Sequence, residues 1–400
     1  MELLELPLEI LHMIAYHLDN HDYINFSLTC KNTYRLRRYS TPCRNPSRYH
    51  DHLLIDNPPC QIEHVMYGLA EYRYIFDICN KFIDKLTVIN IVGEVLQVTN
   101  RIRYLDCSNS SLLKLEVPDC LRYLNCSNTA VFVHNINYHN GELHTGKRRT
   151  SIFRKLSKVT NNLVYLNCSH VLNSYYCGIA RDINYTMTAL EYLDCSYTQS
   201  NYNDTLISCE NLQYLNCSGN KINKLKIFCP KLKKIICTNT RIVEITECVP
   251  SVTYLDCSYS NIAISKFPSL TYLNCSNIAS ENNIISYTVS AKLYRKSIFH
   301  FLTYMNCSNS GITEFNGHLF PALKTLICSN NKIKSLRNVK HIYCLNCSNC
   351  GLFRLPDMYV EILNCSNNLI MKLPHLPRLR IIDCANTLID KSTLHGIIVI

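Results

Sequence analysis

Cys344, Cys347 and Cys350 stand at Cys-x-x-Cys-x-x-Cys spacing, a run of thiols that could hold a zinc ion or an iron–sulfur cluster. The chain has 24 cysteines in 400 residues, so thiol chemistry is the first possibility to weigh. Thirteen of them recur inside one short phrase: Cys107, Cys126, Cys168, Cys195, Cys217, Cys237, Cys257, Cys275, Cys307, Cys328, Cys347, Cys365 and Cys384. Two copies show it best: Leu212, Leu215, Cys217, Asn220, Ile222, Leu225, and Leu323, Leu326, Cys328, Asn331, Ile333, Leu336. The pattern is L-x-x-L-x-(L/C)-x-x-N-x-I-x-x-L. In this register Cys347 takes the repeated inward position, Cys344 the opposite face of the same strand, and Cys350 the polar turn position. Alternation along a strand separates the three thiols, so neither a metal nor any other cofactor is expected. No glycine-rich phosphate loop, His-Glu-x-x-His or Gly-x-Ser-x-Gly occurs, and the chain reads as a non-enzyme.

The cysteines do not read as a disulfide framework either. Thirteen at one structural position behave as small buried hydrophobes, and stacking them in a column does not give paired bridge geometry. Asn-Cys-Ser recurs at Asn125, Asn167, Asn216, Asn274, Asn306, Asn346 and Asn364, formally a glycosylation signal. Glycans on that many packed strands are sterically impossible, which argues against a secretory route. Glu2, Glu5 and Glu9 do not suit a secretory leader, and no apolar run approaches the roughly eighteen residues of a membrane span. The expected compartment is the reducing cytoplasm or nucleus.

The elements that carry these residues follow from the period. Most steps between the thirteen cysteines are 18 to 22 residues, the mark of a solenoid whose coils bury their apolar faces against each other. Every unit runs the same way, so the sheet must be parallel. Asn220, Asn331, Asn368, Thr129, Thr240 and Ser110 sit where a polar side chain can bond the turning backbone. Pro230, Pro250, Pro268, Pro321 and Pro377 lie two residues before the next coil's first apolar position and favour extended chain there. Coils of about 20 residues leave no room for a helix on the return. An α/β solenoid is therefore expected, with a parallel concave β-sheet and a convex side of extended segments or 3-10 turns. It covers 86–400, with thirteen clear repeats plus a degenerate one at Leu86-x-x-Ile89-x-Ile91 and insertions near 130–162 and 278–301. Residues 127–167 could hold one coil or two. Residues 45–85 are expected to be a helical linker and cap. Ile397–Ile400 reads as a terminal strand or an exposed apolar edge.

Alternation also assigns the outward face. Tyr104, Tyr123, Tyr165, Tyr192, Tyr214, Tyr254, Tyr272 and Tyr304 fill the first outward slot. Asn or Asp fills the second except at Ile236 and Ile327, and Ser mostly fills the third. Identical residues in successive coils could be an interface, or could stack on one another. Discrimination is expected where the columns break, at Lys234, Ile236, Thr325, Ile327, Cys344, Ile362 and Ile381. The candidate target-binding set is Tyr192, Tyr214, Lys234, Ile236, Tyr254, Thr325 and Ile327, with Arg148 and Arg149 from the basic insert. The net charge of +11 gathers in that insert and around Lys221, Lys224, Lys226, Lys231, Lys233 and Lys234. Such a face either keeps a long apolar solenoid in solution or meets an acidic protein or nucleic acid, the last being the less favoured partner.

The amino terminus carries a different pattern. Leu6-Pro7-Leu8-Glu9-Ile10-Leu11 opens a helix with an Ile10, Leu11, Ile14, Leu18 stripe. Asp19–Asp22 breaks it, Tyr23–Leu28 supplies a second apolar face, and Thr29–Arg38 a basic third helix. The string from Leu6 to Arg38 resembles the F-box, with Tyr34 where many members carry Trp. The resemblance implies a small three-helix module over 1–44 that docks on the Skp-type adaptor of a cullin-based SCF ubiquitin ligase. It further implies that Leu6, Pro7, Ile10, Leu11, Ile14, Leu18, Leu28 and Cys30 carry or shape that contact. The repeats are similar to leucine-rich repeats, which in F-box proteins select the substrate. The Cys-Ser-Asn flavour resembles F-box/repeat proteins of giant DNA viruses, which would place the chain in a host cytoplasm. Two functions are carried forward: the substrate-recognition subunit of an SCF-type ligase, and a non-catalytic scaffold with a basic face.

Overall fold

The computed structural model describes residues 51–54, 63–67, 85–89, 92–97, 102–116, 120–129, 162–171, 187–198, 204–278 and 299–400. The chain forms two compact units, residues 1–199 and 200–400. In the first, strands Lys85–Ile89, Tyr104–Asp106, Tyr123–Asn125, Tyr165–Asn167 and Tyr192–Asp194 pair in parallel, each with the next. Val92–Gln97 and Ser111–Glu116 make a second parallel pair. In the second unit the parallel series runs through Tyr214–Asn216, Lys234–Ile236, Tyr254–Asp256, Tyr272–Asn274 and Tyr304–Asn306. It continues through Thr325–Ile327, Cys344–Asn346, Ile362–Asn364, Ile381–Asp383 and Ile398–Val399. Its return side has the short parallel sets Asp204–Ile207, Lys224–Ile227, Glu244–Ile245 and Glu314–Asn316, Ser335–Arg337. Single 3-10 turns at Ile264–Lys266, Gly317–Leu319 and Lys391–Thr393 complete it. Each unit is thus the expected parallel solenoid with an extended and 3-10 return.

Tyr123 pairs directly with Tyr165, so residues 127–167 add a single coil to the sheet. Two expectations near the start are corrected. The described parts of 45–85 are strands, not helices: Asp51–Leu54 runs antiparallel to Glu63–Tyr67, which lies parallel to Lys85–Ile89. Val65 and Tyr67 are strand-favouring types, and pairing them continues a sheet edge that would otherwise stay open. The degenerate strand is also displaced. Leu86 pairs with Leu105, where the repeat pattern would align Ile89. Leu86, Val88, Ile89 and Ile91 fit more than one register, and no cysteine marks the inward slot. The other end has both expected properties: Ile398–Val399 adds a parallel strand, and Ile398 and Ile400 stay 64% and 75% exposed. The amino-terminal module, including all eight adaptor-contact candidates, lies outside the described residues, as do Arg148 and Arg149.

Alternation builds the core. All thirteen repeated cysteines are buried, as are the residues two before them, from Leu105 and Leu124 to Leu363 and Ile382. Each such Leu or Ile contributes about 1.5–3 kcal/mol by leaving water. None of the thirteen is in a disulfide, and several donate across to the following coil, Cys168 Sγ to the Asp194 carbonyl at 3.2 Å and Cys275 Sγ to the Asn306 carbonyl at 3.4 Å.

Three devices recur at the corners. The outward Asn or Asp bends back: Asn216 Oδ1 accepts from Ser218 N at 3.1 Å and from Ser218 Oγ at 2.8 Å. Two residues after the cysteine the backbone turns left-handed, with φ of 57° at Asn109, 50° at Asn309 and 56° at Asn330. Asparagine tolerates that region better than most side chains. The third device is the buried polar slot, where Thr129 and Thr240 each return a hydroxyl to the cysteine carbonyl three residues back, at 2.7 and 3.0 Å.

Candidate functional site

Parallel pairing sets each outward tyrosine beside the next, and the strand spacing of about 4.8 Å lets rings close on one another. In the first unit, Tyr104, Tyr123, Tyr165 and Tyr192 form one stack, with successive centroids 3.9, 4.1 and 4.2 Å apart. In the second unit Tyr254, Tyr272 and Tyr304 do the same at 4.1 and 4.5 Å. The repeated tyrosines are therefore partners of each other before they are partners of anything else. Desolvation, with hydrogen bonds between neighbouring phenols, pushes Tyr123 and Tyr165 up to about 12. These phenols stay neutral hydrogen-bonding groups at physiological pH.

Where the column changes type, a charge enters. Lys234 Nζ lies 4.3 Å from the Tyr254 ring centroid and 5.5 Å from that of Tyr214, so the ammonium is held between two π faces. Ile236 lies two residues along the same strand, next to Asn216 and Asp256. Tyr214, Lys234, Ile236 and Tyr254 thus form one contiguous patch, each side chain half-buried. Thr325 and Ile327 share its face four strands further on, roughly 19 Å away at the usual strand spacing. They border an apolar continuation of the column through Cys344, Ile362 and Ile381. Tyr192 sits in the first unit, on Tyr165.

The lysine-rich repeat does not form one basic stripe. Lys224 leaves on the return strand and pairs with Glu244 at 3.0 Å, and Lys231 Nζ bonds Asn211 Oδ1 at 2.6 Å. Of that cluster only Lys234 belongs to the outward slot of the sheet strand.

The buried thiols of the column are poor nucleophiles in this arrangement. Burial pushes Cys126 and Cys365 up to about 12 and raises Cys168, Cys237 and Cys275 well above the ordinary thiol value, so they remain protonated. In the Cys-x-x-Cys-x-x-Cys run, Cys344 is half-buried on the sheet face and Cys347 is in the core. Cys350 occupies the polar turn slot, its Sγ donating to the Cys328 carbonyl at 3.1 Å.

One feature with contact potential was not among the sequence expectations: the left-handed asparagines, two residues after nine of the thirteen inward cysteines. Their amides link adjacent coils, Asn128 to Asn109 at 2.8 Å, Asn309 to Asn277 at 3.0 Å and Asn349 to Asn330 at 2.9 Å. The recurrence of Asn in Cys-Ser-Asn, a residue tolerant of positive φ, was the available signal.

Comparison with known proteins agrees with this architecture. Residues 3–36 match the F-box domain. A leucine-rich-repeat protein of Leptospira interrogans superposes with a TM-score of 0.55 at 18% identity, over 80% of this chain and 84% of that one. YopM from Yersinia enterocolitica gives a TM-score of 0.42 at 17% identity, over 76% and 74%. No curated protein sequence matches the chain. The repeats therefore have a leucine-rich-repeat fold, and no helix among the described residues is long and apolar enough to cross a membrane.

Proposed function

We propose that an F-box domain at residues 3–36, followed by leucine-rich-repeat coils, makes this chain a substrate-recruiting subunit of an SCF-type ubiquitin ligase. The observation that carries the reading is that conjunction on one chain. The domain docks a Skp-type adaptor through Leu6, Pro7, Ile10, Leu11, Ile14, Leu18, Leu28 and Cys30. The sheet face holds the target, with the Tyr214, Lys234, Tyr254 patch as its centre and Ile236, Thr325 and Ile327 as flanking contacts. Tyr192, Arg148 and Arg149, in residues 1–199, are further candidate contacts for the target. The chain itself catalyses nothing and needs no cofactor; ubiquitin transfer belongs to the ligase it joins. Free buried thiols support residence in a reducing compartment, cytoplasm or nucleus.

Docking of the adaptor is tested by Pro7→Ala combined with Ile10→Ala in the full chain. Adaptor recovery should disappear while the thermal melt of the repeats is unchanged; undiminished recovery would defeat the assignment. Target capture has its own test. Lys234→Glu, which puts a carboxylate between two electron-rich ring faces, should lower recovery of proteins captured with the proteasome blocked by about tenfold, while adaptor recovery stays constant. Identical capture by the variant would move the target site off this patch.

A further inference from the structure

A second surface lies on the lateral edge of the second unit, where the chain leaves the sheet strands. On the coils flanking the groove, main-chain bonds lace neighbours together. Lys332 N donates to the Ile312 carbonyl and Lys334 N to the Thr313 carbonyl on one side, and Leu369 N to the Leu352 carbonyl on the other. Among the described residues no such bond joins Lys332–Lys334 to Gly351–Phe353. The edge opens there into a groove of about 840 Å³ lined by Asn309, Asn330, Lys332, Lys334, Asn349 and Phe353. Gly351 keeps it open: its φ of +71° disfavours a side chain, and the space where a Cβ would sit is empty.

The lining has a consistent chemistry. The amide ladder breaks here, because Asn309 bonds back to Asn277 and Asn330 bonds forward to Asn349, with no bond between Asn309 and Asn330. The break leaves a side-chain carbonyl and an NH2 group exposed at the groove. Lys332 and Lys334 are exposed and have no ion pair among the described residues. Phe353 is 71% exposed, and on the next coil Met371 is 70% and Leu369 49% exposed. From 324 to 380 the chain carries nine Lys and Arg against one Asp and one Glu.

We propose that this groove binds an extended acidic peptide segment that carries an apolar side chain. Its main chain lies against Asn309 Oδ1 and Asn330 Nδ2, the amide ends left over at the break, and the unlaced coil edge. Its carboxylates meet Lys332 and Lys334, and its apolar residue packs on Phe353 and Met371. Charge selects this occupant over a second copy of the chain, since two identical basic edges repel. The site is separate from the sheet-face patch and does not depend on adaptor docking.

The test uses the full chain and a fluorescein-labelled eight-residue peptide that alternates glutamate with phenylalanine and leucine. The control peptide has lysine in place of each glutamate. Anisotropy should show saturable binding of the acidic peptide alone. Lys332→Glu with Lys334→Glu should weaken it by at least about tenfold, as expected for two lost charge-assisted contacts. Phe353→Ser should weaken it severalfold and Lys234→Glu should leave it unchanged. All the altered side chains are exposed or lie on the surface, and thermal melts verify that each variant folds; if one variant does not, the other decides. Equal binding of the lysine peptide, no binding of the acidic one, or indifference to both groove variants would overturn the proposal. So would a Phe353-dependent dimer in sedimentation that takes up no peptide.

Discussion

Asn331→Ala should cost the second unit about 3–6 kcal/mol, a large share of the stability of an ordinary domain. Asn331 is buried, and both ends of its amide are used. Oδ1 accepts from Ser310 N and from Ile312 N, each at 3.0 Å. Nδ2 donates to the Cys307 carbonyl at 2.9 Å and to the Cys328 carbonyl at 2.8 Å. One side chain therefore stitches two coils and satisfies main-chain groups that no water reaches. The Cys328 carbonyl keeps a donor in Cys350 Sγ, so the unmet groups in the variant are the two amides and the Cys307 carbonyl. Each buried unmet group costs about 1–3 kcal/mol, with some relaxation offsetting the sum. Asn331→Thr should fall between, because a hydroxyl can reproduce the single bond that Thr240 makes to the Cys237 carbonyl. Urea melts of the three proteins decide it. If the alanine variant unfolds at the same midpoint as the parent, the corner amide is not structural.

The second large effect is alkaline unfolding. Burial raises the core thiols, Cys126, Cys209 and Cys365 to about 12 and Cys229 to about 11, from an ordinary value of 9.0. A neutral thiol is the protonated form, so between 9 and the raised value the folded chain holds protons that the unfolded chain has released. Stability is therefore full below pH 9 and declines as pH climbs toward 11–12. Each such thiol contributes a slope of about 1.4 kcal/mol per pH unit, and several act together. A stability of about 5–15 kcal/mol would be exhausted within one to two units above pH 9. Thermal melts from pH 7 to 11 should show a steep fall in this range, with the thiolate absorbance of the core thiols appearing only as the chain unfolds. Thiolate absorbance amounting to most of the 24 cysteines near pH 9 in a still-folded protein would contradict the buried column. Exposed Cys248 should react with a thiol reagent well before any of the thirteen.

Much of this was open to a reader of the sequence. Leu215 and Cys217 point inward because alternation admits no other arrangement once the coil repeats about every 20 residues. Coils of about 20 residues left no room for a helical return, and Asn220, Asn331 and Asn368 were recognisable as corner residues by type and place. Arg148, Arg149 and the amino-terminal contacts rest on the sequence alone.

What the chain order alone determined is the periodic part: inward and outward faces, parallel pairing and polar corners all repeat within a coil, so one copy teaches the rest. The tertiary structure decided whatever depends on which coil lies next door. Only it shows Lys234 between two rings, Asn331 bridging to the previous coil, and Leu86 aligned with Leu105. It also shows the edge unlacing between Lys334 and Phe353. The physical reason is that these are contacts between residues about twenty apart, whose energy depends on the pair that meets and not on either residue's own place in the repeat.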